Sequence, residues 1–231
     1  MKNPGISGLY FLIGIISIIL QNQSSFYPEL AVKALIMPVL MILFLKKLNP
    51  LTNRLHSLLF AGLFFSWAGD VVLEFSKNSA NMFILGLVCF LLAHIMYFTV
   101  FVITPGKNCI LTNRIYLLLP VIIYGAVLVS YLYPDLADMR LPVILYALVI
   151  LTMLTGAINR REKVNRGSYY LVLAGAILFV ISDSVIAINK FSHQFASSGI
   201  VIMSTYIVAQ YLIVAGYMYQ FSSIKPDQIS R

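Results

Sequence analysis

Uninterrupted apolar runs of membrane-spanning length recur from one end of this sequence to the other. A run of roughly 18–23 residues wound as a helix crosses a hydrocarbon core of about 30 Å. Composition agrees: of 231 residues 60% are hydrophobic and 10% charged, with a mean hydropathy of +0.91. Soluble domains carry about 25% charged residues, and a globule with far fewer cannot cover its own surface. No segment is long or polar enough to form a separate soluble domain. The chain reads as one integral-membrane domain over residues 1–231. Lipid-exposed backbone must bond within its own element, and the runs lack the alternation of barrel strands, so the predicted class is all-α.

Turn residues and charges divide the chain into eight predicted spans: 6–21, 29–47, 55–75, 81–103, 115–133, 139–158, 168–189 and 198–221. The first has no small-residue cleavage site near Gln21 to Ser25 and is read as a retained helix. Cys89 in an apolar run and Cys109 in a loop have no CxxC spacing, which argues against a disulfide or a thiolate metal site.

Eight spans put both termini on one face. That face collects Lys2, Lys46, Lys47, Arg54, Lys107, Arg114, Arg160, Arg161, Lys163, Arg166, Lys225 and Arg231, against Lys77, Arg140 and Lys190 opposite. The positive-inside rule then makes both termini cytoplasmic, in a bacterial inner (plasma) membrane. The net charge of +8 is thus mostly topology rather than a nucleic-acid surface. Phosphate binding by the loop from Arg160 to Arg166 is the alternative use of that charge.

The sequence matches itself. Ala61-Gly62 is followed by Asp70 as Ala174-Gly175 is by Asp183, at an offset of 113 residues (61 to 174). The same offset sets Lys33 on Tyr146. With a three-residue shift, Phe90, Ala93 and His94 fall on Tyr206, Ala209 and Gln210. A four-helix unit repeated in parallel follows, with halves at about 6–103 and 115–221.

An ionisable group inside a span is costly and suggests function. Six candidates stand out: Lys33, Asp70, His94, Tyr146, Asp183 and Gln210. Gly62, Ser66 and Asp70 lie on one helical face that Glu74 continues, and Gly175, Phe179 and Asp183 repeat it. Both aspartates are expected roughly 8–9 Å below the outer boundary, facing one cavity. Two neighbouring carboxyl groups in such a site share a proton, giving an acid beside a base. Structural readings stand beside this one: hydrogen-bonded aspartates, a snorkelling Lys33, a packing His94, and Tyr146 and Gln210 as links between helices. His56, His94 and His193 are spread too far along the membrane normal to share a zinc ion. Asp70, Asp183 and His94 offer an alternative metal-ligand set, and no metal is assigned to it. There is no GxSxG elbow, P-loop or GxGxxG.

At these residues the chain resembles the YhhN-like lysoplasmalogenase family of polytopic membrane proteins. The resemblance rests on Lys33 with Pro38, Gly69-Asp70, Ala93-His94-Ile95-x-Tyr97, Tyr146 with Met153, Phe179-x-x-Ser182-Asp183-Ser184, and Tyr206-x-x-Ala209-Gln210, within about residues 28 to 220. Lys33-Ala34 departs from a common Lys-Pro pair, the proline being delayed to Pro38. The resemblance implies cleavage of the vinyl-ether bond of a lysoplasmalogen to a fatty aldehyde and a glycerophospho-alcohol, with Asp70 and Asp183 as acid and base. It implies a lyso-phospholipid partner in a lipid bilayer, and substrate contacts from Lys33, His94, Tyr146, Ser182 and Gln210. Lys33 would hold the phosphate. Neither a metal nor another cofactor is required, and oligomeric state is left open. The rival readings are a small transporter or lipid-binding protein using the Asp pair for proton coupling, and a hydrolase of another lyso-lipid.

Overall fold

A computed structural model of the protein describes residues 4–21, 26–77, 79–106 and 110–222. Lys2, Lys107, Cys109, Lys225, Arg231 and the break at 22–25, used in the readings above, lie outside the described residues, as does the side chain of Lys77. Eight long helices follow in order: α1 (Pro4–Leu20), α2 (Phe26–Leu45), α3 (Arg54–Glu74), α4 (Ala80–Ile103), α5 (Leu119–Leu132), α6 (Arg140–Asn159), α7 (Arg166–Phe191) and α8 (Ser198–Ser222). Short turns join them, and every regular element among the described residues is helical. The regions of α2 to α8 are long and apolar enough to cross a membrane. α1 is as apolar, and its 17 residues place it at the short end of that range. The protein is an integral membrane protein built as a polytopic helical bundle.

Local chemistry sets the helix starts. Asn53 ends the loop before α3, and its side chain accepts from the Leu55 amide at 2.8 Å. Asn165 does the same for the Ser168 amide at the start of α7, also at 2.8 Å. Each satisfies a donor the helix cannot satisfy itself. Successive helices joined by short connections alternate in direction. The start of α1 and the end of α8 therefore share one face, here the terminal face, and the ends of α3 and α7 lie at the far face.

The closest packing is α3 on α4 and α7 on α8. Glycines permit it. A Cβ on Gly175 would stand 2.8 Å from the Ala209 carbonyl oxygen of α8, and one on Gly62 would meet the Tyr97 ring of α4 at 2.5 Å. α4 also packs on α6, and α1 on α2 and α8. The core runs through the centre, with Leu40, Phe44, Leu63, Phe101, Phe179 and Tyr217 wholly buried. α5 stands apart: only 17% of its apolar stretch is buried, against 33–50% in the other long spans.

Arg160, counted above among the surface charges of the terminal face, turns inward and is fully buried. Its Nη2 donates to Ser168 Oγ at 3.2 Å and Gln220 Oε1 at 2.9 Å, with the guanidinium 5.3 Å from the centre of the Phe101 ring. It fastens α6 to the start of α7 and the end of α8.

Candidate active site

α7 presents Gly175, Phe179 and Asp183 on one buried face, as the spacing predicts. Asp183 Oδ2 accepts a hydrogen bond from the Tyr146 hydroxyl of α6 and lies 3.0 Å from His94 Nε2 of α4. His94 Nε2 and the Tyr146 hydroxyl are themselves 3.1 Å apart. Two groups from α4 and α6 thus converge on one carboxyl oxygen of α7. His94 is completely buried, its ring set edge-on against Phe179 at 4.7 Å between centres. Among the described residues its Nδ1 has no hydrogen-bond partner, and Nε2 makes its polar contacts.

Asp70 lies on the matching face of α3, with Gly62, Ser66 and Glu74 buried along the same stripe. Its Oδ2 accepts the Tyr206 hydroxyl of α8 at 2.7 Å. Lys33, Glu74 and Asp183 are all near enough to act electrostatically on it. Phe179 stands between the two carboxyl sites, touching Tyr206 at 5.5 Å between ring centres as well as His94. Asp70 is four residues from the end of α3 (70 to 74) and Asp183 eight from the end of α7 (183 to 191). At 1.5 Å per residue that is about 6 Å against about 12 Å. α7 continues to Phe191, whereas α3 gives way after Glu74 to a tight turn at Phe75–Lys77.

The remaining candidates divide between two roles. Gln210 is buried at the centre, where its Oε1 accepts the Tyr97 hydroxyl at 2.9 Å and its Nε2 donates to Ser66 Oγ at 3.0 Å. This links α3, α4 and α8 directly below Asp70. Lys33 Nζ donates to Glu74 Oε2 at 3.2 Å, a largely buried ion pair between α2 and α3. Ser182 Oγ donates to the Ile202 carbonyl at 3.1 Å and so ties α7 to α8.

Two small cavities open at Asp183 and Tyr146. One, of about 30 Å³, runs toward the far face between Leu73, Phe83, Phe90, Val143, Ile186 and Phe191. The other, of about 40 Å³, lies toward α5 between Tyr124, Leu128, Ile150, Val180, Ser184 and Ala187. Each has room for a few water molecules. Among the described residues Asp183 is the one carboxylic acid in either lining, and Asp70 lines neither. A groove of about 450 Å³ continues from the second cavity along α5, α6 and α7, sharing Tyr124 and Val180 with it.

Three residues of the site are not among the candidates that the sequence points to. Tyr206 corresponds to Phe90 across the repeat, and the hydroxyl by which it differs is the atom that reaches Asp70. Tyr97 and Ser66 complete the Gln210 network. Tyr97 lies within the Ala93-His94 motif, and Ser66 within the Gly62-to-Asp70 stripe.

The YhhN family profile matches residues 29–217. Lysoplasmalogenase TMEM86A of Bos taurus is 30% identical over 185 residues, covering 78% of this chain and 73% of that protein. Lysoplasmalogenase TMEM86B of Sus scrofa is 32% identical over 145 residues, 63% of this chain and 58% of that protein. Human lysoplasmalogenase TMEM86A is 32% identical over 163 residues, 67% of this chain and 62% of that protein. No solved structure matches the chain.

Proposed function

Because the chain belongs to the YhhN family, we propose that it is a membrane-embedded hydrolase that cleaves the vinyl-ether bond of lysoplasmalogens by acid–base catalysis at Asp183 and Asp70. One observation carries this reading: Asp183, with Tyr146 and His94 on the same carboxyl oxygen, lines two otherwise mainly apolar cavities. A proton-transfer group is presented to a space that suits hydrocarbon and a few waters.

The chemistry suits these groups. A carboxylic acid transfers a proton to the alkenyl carbon distal to oxygen, and the electron pair of the double bond forms the new C–H bond. The oxocarbenium ion that results is stabilised by carboxylate charge in a low-dielectric site. Water adds to the carbon bearing oxygen and loses a proton to the carboxylate. The hemiacetal then breaks its C–O bond to the glycerol, which leaves as an alcohol, and the remaining carbon and oxygen form the aldehyde. One water is consumed and the enzyme's proton is restored.

Asp183 faces the cavities and is assigned the transfer to carbon. Asp70, within electrostatic range of it, is the second carboxyl of the pair. Tyr146 and His94 orient Asp183, while Gln210 holds the helices that carry Asp70 and Tyr206. Lys33 supplies positive charge beside Asp70. The near-symmetric exchange of partners between α3, α4, α7 and α8 also supports a duplicated four-helix unit. The charge asymmetry supports cytoplasmic termini, with the aspartates nearer the opposite face.

The deciding experiment incubates the purified protein with an alkenyl lyso-phospholipid and, separately, with its saturated alkyl ether. Aldehyde is expected from the first alone. No aldehyde from the vinyl ether overturns the reading.

A further inference from the structure

We infer that α7 is a ruler along which a single-chain glycerophospholipid lies, its phosphate at Lys190 and its hydrocarbon tail in the groove between α5, α6 and α7. This rests on the proposed lyso-lipid reading and adds the attitude, depth and chain length of the bound lipid.

The cavities and groove are linked by one stripe of α7. Tyr169, Leu173, Ile177 and Val180 line the groove, and Val180, Asp183 and Ala187 line the cavity above it. Ala187 and Phe191 carry the stripe on into the other cavity. Steps of three or four residues keep all of them on one helix face. Tyr124 closes the α5 side where groove and cavity meet, its hydroxyl donating to Ser184 Oγ at 2.7 Å. The lightly buried α5 leaves the groove open to the side, where a membrane lipid would arrive.

The reacting bond decides which end holds the phosphate. The ether oxygen of a 1-alkenyl glycerophospholipid is five bonds from phosphorus, about 6 Å when extended. Arg161 at the terminal-face end of the groove lies beyond Tyr169, which is fourteen residues from Asp183 (169 to 183). That is about 21 Å along the helix, too far for a phosphate whose vinyl ether sits at Asp183. Lys190 is seven residues from Asp183 in the other direction, about 10 Å along the axis and on the same face, within reach of a long side chain. Its Nζ lies 4.9 Å from the centre of the Phe83 ring, and Phe83 lines the cavity toward the far face. The charge of Lys33, by contrast, is already matched by Glu74.

The tail then points toward the terminal face, as it does for a lipid in the far leaflet. Asp183 to Tyr169 measures about 21 Å, which at about 1.25 Å per methylene accommodates roughly 16 carbons.

The test uses binding, so that it reads independently of turnover. Saturated alkyl lyso-phospholipids bearing a photoreactive diazirine at the second or at the fifteenth carbon are cross-linked to the full-length protein in detergent. The deep probe is expected on peptides containing Leu117 and Leu173, and the shallow probe on those containing Tyr146 or Ala187. Ile177→Trp, which blocks the groove about 9 Å from Asp183, should abolish deep labelling and favour lipids of about six to eight carbons. Lys190→Met should weaken binding of the phospholipid roughly tenfold while sparing an uncharged monoalkylglycerol. Lys190 is exposed, so its loss leaves folding intact. Labels spread over all lipid-facing helices would overturn the inference. So would a headgroup effect from Arg161→Met in place of Lys190→Met. Absence of aldehyde release would count against the catalytic reading and leave these binding outcomes unchanged.

Discussion

The Tyr206 hydroxyl of α8 donates to Asp70 of α3 across 2.7 Å, linking residues 136 positions apart. Asp183 of α7 is held in turn by His94 of α4. Each aspartate is therefore oriented by the last helix of the other half of the chain. Asp183 also accepts from Tyr146 of its own half, whereas the one side-chain hydrogen bond described for Asp70 comes from the other half.

Tyr206→Phe removes only the hydroxyl and keeps the ring contacts with Phe90 and Phe179. A hydrogen bond to a charged acceptor contributes about 1.5–3 kcal/mol, so Asp70 should lose its fixed orientation while the bundle stays folded. Aldehyde release should fall by about ten- to a hundredfold with a nearly unchanged melting temperature in detergent. Full activity in this variant would show that Asp70 needs no orientation by α8.

Asp70→Asn and Asp183→Asn should each reduce turnover by about 10²–10⁴-fold, since an amide can neither deliver the proton to carbon nor take one from water. Shape and most hydrogen-bonding capacity are kept, so a purely structural role predicts a mild loss. Because the two groups act together, the double variant should be little worse than either single one. Near wild-type turnover in the Asp183 variant would remove the mechanism.

Much of this site was legible before the fold was known, and for identifiable reasons. Apolar runs and their breaks follow from the bilayer as solvent, so the eight helices fall within a few residues of the predicted spans. Asp70 and Asp183 stood out because a carboxyl inside a span is expensive. What stayed hidden are partnerships between helices. Tyr206 looks like one more aromatic of an apolar helix until α8 is laid against α3. Arg160 reads as a topological charge until its burial against Gln220 and Phe101 is seen. How far each helix runs on past its aspartate, four residues in α3 and eight in α7, stays hidden as well, because helix ends are the least certain part of any sequence reading.

Gly175→Ala tests how closely α7 and α8 must approach. The added methyl would meet the Ala209 carbonyl oxygen at 2.8 Å and the Ile213 amide nitrogen at 3.0 Å, both backbone atoms that cannot rotate aside. At Gly62 the obstacle is the Tyr97 side chain, whose ring can shift. Gly175→Ala should therefore destabilise by about 1–3 kcal/mol and Gly62→Ala by less. Thermal unfolding in one detergent should rank them in that order; the reverse ranking would show that α3 and α4 form the tighter seam.

Lys33 and Glu74 allow a structural charge pair to be told apart from a substrate contact. Their side chains are 15% and 2% exposed and 3.2 Å apart. Lys33→Met deprives the buried Glu74 carboxylate of this cation, and breaking a buried pair in this way costs about 3–5 kcal/mol. Lys33→Met with Glu74→Gln removes both charges together and should recover most of that loss. Melting temperatures of the two singles and the double complete the cycle. A strongly non-additive result with affinity for lyso-phospholipid restored in the double variant identifies Lys33 as a residue that positions α2 against α3 beside Asp70. If the double variant regains stability but still binds lyso-phospholipid weakly, Lys33 touches the substrate directly.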